Sequence, residues 1–75
     1  MNKERRKIVR KALRMLRDAE MEIEYALDEE NTCIQNTPEG LETCDRYYDM
    51  EAAAGSLENA LECIHEAEES LDEVL

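Results

Sequence analysis

Glu62-Cys63-Ile64-His65 is the one stretch of this chain whose residue types and spacing suit chemistry. On a helix, E-x-x-H sets a carboxylate and an imidazole on one side, the arrangement that helical-bundle di-iron sites combine with glutamates from facing helices. The motif occurs once, so such a site needs a second copy of the chain and Glu20 or Glu24 turned inward. Glu62 and His65 lie off the apolar row of Ala60, Leu61 and Ile64 and are expected to face outward. The reading is therefore a surface histidine among carboxylates, with no metal and no cofactor.

Other catalytic arrangements have less to draw on. His65 is the only imidazole, and Cys63, two residues before it, faces elsewhere on a helix, so no nucleophile and base are paired. No glycine-rich phosphate loop is written in the chain. Cys33, Cys44 and Cys63 are odd in number and form no C-x-x-C pair, which argues against a disulfide framework or a zinc cluster. Cys33 and Cys44 flank a turn, where oxidation would staple them together; reduced thiols are the reading for a cytoplasmic protein, and their redox state stays open. The expectation is a protein without catalytic residues.

The elements that position these side chains are two long helices. In the first half Val9, Leu16 and Ile23 recur every seven residues, as do Ala12, Ala19 and Ala26, with Leu13 and Leu27 beside them. In the second half Ala53, Ala60, Ala67 and Val74 form one such row and Met50, Leu57, Ile64 and Leu71 another, with Tyr47, Ala54, Leu61 and Leu75 alongside. Apolar rows at this period mark amphipathic helices that pack as a coiled coil.

Between the halves stands Asn36-Thr37-Pro38-Glu39-Gly40. Proline has no N–H to continue an arriving helix and suits the first position of a new one, which makes Thr37 the expected N-cap of a short helical turn near 38–42. Thr43 offers a second cap. The sequence predicts a first helix over about 3–33, a turn over about 34–43 and a second helix over about 44–74.

The fold class is thus all-α: an antiparallel two-helix hairpin, an alanine-rich coiled coil. The predicted pairing sets Ala26 against Ala53, Ala19 against Ala60 and Ala12 against Ala67, with Ile23 beside Leu57, Leu16 beside Ile64 and Val9 beside Leu71. Facing alanines let helix axes approach closely. Leu13, Leu27, Tyr47, Leu61 and Leu75 then remain as a second apolar face, wider than a lone hairpin needs. A chain of 75 residues is one domain and too short for a sizeable core. That surplus face predicts a homodimer closing into a four-helix bundle, or a partner protein.

Charge divides the chain. Of nine basic residues, eight (Lys3, Arg5, Arg6, Lys7, Arg10, Lys11, Arg14 and Arg17) precede Asp18, and nineteen of the twenty carboxylates follow from there, for a net charge of -11. The expected pairing lays the basic start beside Glu62, Glu66, Glu68, Glu69, Asp72 and Glu73, so self-neutralisation accounts for it. Nucleic-acid binding is disfavoured, since no aromatics interleave the basic residues and the rest of the molecule repels phosphate. No apolar run approaches the ~18 residues of a membrane span, and no signal peptide is evident, so no membrane is expected and the cytoplasm is the expected location.

Toward the turn, Tyr25, Tyr48, Asp28, Glu29, Asp45 and Asp49 combine aromatic and acidic groups suited to meeting a basic protein surface.

Asn36-x-Pro38-Glu39-Gly40-Leu41, Arg46-Tyr47, Met50-Glu51 and Leu57-Glu58-x-Ala60 together resemble small acidic helical proteins, themselves uncharacterised, from phages and prophages of Gram-positive bacteria. The resemblance covers chiefly residues 36–64, implies a source, and assigns no site residue. The functional expectation is a non-enzymatic protein–protein interaction module, an adaptor or inhibitor of a host or phage protein. The alternative is an acidic nucleic-acid mimic that blocks a DNA- or RNA-binding enzyme.

Overall fold

The computed structural model describes residues 1–41 and 44–75. Two helices, α1 (Lys3–Gln35) and α2 (Asp45–Asp72), pack against each other as a hairpin, with no strand among the described residues. The rod measures 59 × 15 × 13 Å. Among the described residues, no helix is long and apolar enough to cross a membrane.

Asn2 caps α1, its Oδ1 accepting from the Arg5 N–H at 2.9 Å. At the other end the carbonyls left over by the last turn find local donors. The Asn36 N–H donates to Thr32 O, and the Thr37 hydroxyl donates to Cys33 O at 3.1 Å. Thr37 therefore finishes α1 instead of starting a new turn, contrary to the sequence expectation. The cause lies three residues on. Gly40 has φ of +91° and the Leu41 N–H donates to Pro38 O at 3.1 Å, the pattern of a type II turn with glycine at its third position. A positive φ stops the chain from continuing as a helix, so no helical turn forms at 38–41. The expected Thr43 cap lies outside the described residues. Cys44 is the N-cap residue of α2, extended at ψ of 156° and without a capping side-chain bond.

Mostly large apolar side chains fill the seam, together with Ala54. On α1 the buried and partly buried side chains include Val9, Leu13, Leu16, Ile23, Leu27 and Ile34; on α2 they include Tyr47, Met50, Ala54, Leu57, Leu61, Ile64 and Leu71. These alternate at spacings of three and four, as two interlocking rows of each helix must when the rows face a partner. Ala19, Ala26 and Ala53 are exposed, while Ala12, Ala60 and Ala67 are partly buried.

Val9, Leu16, Ile23, Leu57, Ile64 and Leu71 lie in the seam as expected, but the second row on each helix is not the alanine row. Leu13 is only 5% exposed, and Leu27, Tyr47 and Leu61 are partly buried, so these four belong to the seam; Leu75 alone of that set is exposed. The preference follows from size, because burying a leucine removes far more apolar area from water than burying an alanine.

Candidate functional site

Two of the seam rows contain a carboxylate where the period calls for an apolar residue. Glu20 follows Leu13 and precedes Leu27 and Ile34 at seven-residue intervals, and Glu68 continues the row of Tyr47, Ala54 and Leu61. Both glutamates are partly buried. On α2, His65 precedes Glu68 by three residues, which sets the two on neighbouring turns of one side.

The hairpin brings these three side chains together. His65 Nε2 lies 3.1 Å from Glu20 Oε1, and one donor atom from each of Glu20, His65 and Glu68 lies within 4.8 Å of the others. The His65 side chain is 59% exposed and that of Glu20 only 16%, so the cluster opens to water on the imidazole side and is closed on the carboxylate side. The close contact between His65 and Glu20 lacks hydrogen-bond alignment. Glu20 Oε1 and Glu68 Oε1 are both buried atoms with no hydrogen-bond partner. Leaving a buried acceptor without a hydrogen bond costs about 1 to 3 kcal/mol, so a cation near these carboxylates would be favoured.

This cluster also corrects the expected register. With Leu16 beside Ile64 and Ile23 beside Leu57, Glu20 would stand near Ala60 or Leu61. It stands instead beside His65 and Glu68, more than one helical turn further along α2.

Glu62, the glutamate of the E-x-x-H motif, is exposed and takes no part in the cluster. His65 is mostly exposed yet reaches the edge of the seam instead of facing away from it. Its carboxylate partner on α2 is Glu68, in the reverse order His65-x-x-Glu68. Sequence reasoning treated Glu68 as one acid among those opposing the basic start. The available signal was its place in the row of Tyr47, Ala54 and Leu61.

The other predicted residues are less concentrated. Tyr25, Asp28 and Glu29 on α1 and Asp45, Tyr48 and Asp49 on α2 are all exposed. Tyr48 meets Tyr47 edge to face, with ring centres 6.2 Å apart. At the turn an open groove of about 390 Å³ is lined by Cys33, Thr37, Pro38, Leu41, Cys44, Arg46 and Met50. Cys33 and Cys44 share this groove as free, exposed thiols, and Cys63 is likewise free.

The eight cations of residues 3–17 are all exposed, and among the described residues no lysine or arginine contacts a carboxylate within 4 Å. Contact pairs between the basic start and the acidic end of α2 thus do not form as the sequence reading expected. The charges act on one another only through solvent, where each pair contributes little.

No known protein family, no characterised protein and no solved structure matches the chain.

Proposed function

We propose that this chain is a non-enzymatic protein–protein interaction module that closes on a second copy of itself to make a four-helix bundle and presents its acidic outer surfaces to another protein. The observation that carries the reading is how little the hairpin buries. Among the described residues the buried side chains are Leu13 and Ala54, at 5% and 6% exposed.

The accessible surface is 5909 Å², whereas a compact monomer of this mass exposes about 4,700 Å². The difference, about 1,200 Å², exceeds the ~800 Å² that each partner contributes to a standard interface.

The rows left open favour a self-complementary partner. Viewed end on, antiparallel helices are mirror images, so the row on a given side of the seam in one helix falls on the same side in the other. Ala12, Ala19 and Ala26 of α1 therefore share a side with Ala53, Ala60 and Ala67 of α2, and exposed Ile8 and Met15 border them. Small residues in a row permit the close approach of a second pair of helices. This side replaces the leucine face as the dimer surface.

With the alanine side closed, Tyr25, Asp28, Glu29, Asp45, Tyr48 and Asp49 remain on outer surfaces for a basic partner. An adaptor or inhibitor of another cytoplasmic protein is the role this suits, in keeping with a phage or prophage source.

Sedimentation equilibrium over a concentration series, at low and high salt, tests the reading. The expected result is a dimer insensitive to salt that Ala19→Glu combined with Ala60→Glu converts to a folded monomer. A wild-type chain that stays a folded monomer at micromolar concentration overturns the homodimer.

A further inference from the structure

We propose that Glu20, His65 and Glu68 form a binding site for one divalent transition-metal ion that ties α1 to α2. The inference stands on the single hairpin and goes beyond the interaction module, because all three donors come from one chain.

Geometry supplies the first argument. Ligand atoms bound to a common ion at about 2.0 to 2.2 Å lie about 3 to 3.5 Å from one another. His65 Nε2 and Glu20 Oε1 are 3.1 Å apart, which already matches that edge. The full set spans no more than 4.8 Å, so a side-chain rotation of Glu68 brings the third oxygen in.

Position is the second argument. Glu20 and Glu68 interrupt rows otherwise occupied by Leu13, Leu27, Ile34, Tyr47, Ala54 and Leu61, where an apolar residue packs without loss. Each carries a buried oxygen without a hydrogen bond, and that of Glu20 is the one beside His65 Nε2. One imidazole cannot serve both carboxylates as a donor from a single Nε2–H. A cation among the three atoms accepts electron pairs from both oxygens and from the imidazole nitrogen at once.

The donor set selects the class of ion. Calcium and magnesium take oxygen ligands, and soft ions take thiolates, whereas one imidazole with two carboxylates suits zinc, cobalt, manganese or ferrous iron. Solvent reaches the site beside His65, so water completes the coordination there. The net charge of -11 raises the local concentration of any cation.

Titration of the full chain with Co²⁺, followed by visible absorption, tests the proposal. The expected result is saturation at one ion per chain, with d–d bands and no thiolate charge-transfer band. Binding should weaken at least tenfold in each of His65→Ala, Glu20→Gln and Glu68→Gln, and remain unchanged in Glu62→Gln. His65 is mostly exposed, so its alanine variant keeps the fold, and circular dichroism verifies that. Absence of saturable binding overturns the proposal, as does binding that His65→Ala leaves unchanged. A thiolate band overturns it equally, by assigning the ion to Cys33, Cys44 or Cys63.

Discussion

Leu13 and Ala54 lie toward opposite ends of the rod. Each sits roughly two and a half to three turns inside its own helix, and the helices run antiparallel. The two most deeply buried side chains thus anchor different halves of the seam. Leu13→Ala is expected to cost about 2 to 3 kcal/mol through lost burial and the gap left behind, and Ala54→Leu about 1 to 3 kcal/mol through overpacking. Urea unfolding measures both. A midpoint unmoved by Leu13→Ala would show that the leucine seam is wrong.

The two glycines give shifts of opposite sign. Gly55 lies within α2 with no atom inside 4 Å of where a methyl group would stand, so Gly55→Ala gains about 0.8 to 1 kcal/mol of helix propensity. Gly40 also has open space, but its φ of +91° disfavours any side chain. Gly40→Ala should lose about 1 to 2 kcal/mol. Thermal unfolding of the pair under one set of conditions should move the midpoint up for the first and down for the second.

At the ends of α1, Asn2→Ala removes the acceptor for the Arg5 N–H and should cost about 1 kcal/mol. Thr37→Val removes the donor to Cys33 O, in exposed surroundings, and should cost about 0.5 to 1 kcal/mol, with Thr37→Ser restoring it. Amide hydrogen exchange separates the two, since the first should speed exchange near Arg5 and the second near the turn. Uniform acceleration along the helix would argue against local capping.

Charges on the basic start should matter little to the hairpin itself. Arg10 and Arg14 touch no carboxylate within 4 Å, so Arg10→Gln and Arg14→Gln should each change stability by less than about 0.5 kcal/mol. A loss above 1 kcal/mol in denaturant unfolding would point to ion pairs in solution between α1 and the end of α2.

Seven-residue periodicity made both helices legible in the sequence, and Pro38 and Gly40 marked the place of the turn without its type. Periodicity did not decide which rows face each other. Three adjacent rows on each helix are apolar, and the alanine pair and the leucine pair both yield a self-consistent seam from spacing alone. Side-chain volume decides the matter, and the leucine rows win because they bury more. The same ambiguity hid the cluster. Glu20 and His65 were recognisable as donors, but Glu68 joins them only once the offset between the helices is known, and spacing within each helix does not give that offset. The hydroxyl of Thr37 turns back to Cys33 O because a cap needs a following helix, which Gly40 prevents.

Glu20 and Glu68 also make the hairpin a keyed joint. A seam of apolar rows repeats its pattern every seven residues, so one helix slipped by a heptad again sets apolar side chains against apolar side chains. Glu20, His65 and Glu68 occur once in that pattern and come together in a single alignment. Any slipped alignment places two carboxylates against leucines with no imidazole at hand, and such misplaced buried charge is penalised more heavily than any lost apolar contact. The polar residues in this thin rod thus act as a vernier, sorting one alignment from several that the apolar rows alone would treat alike.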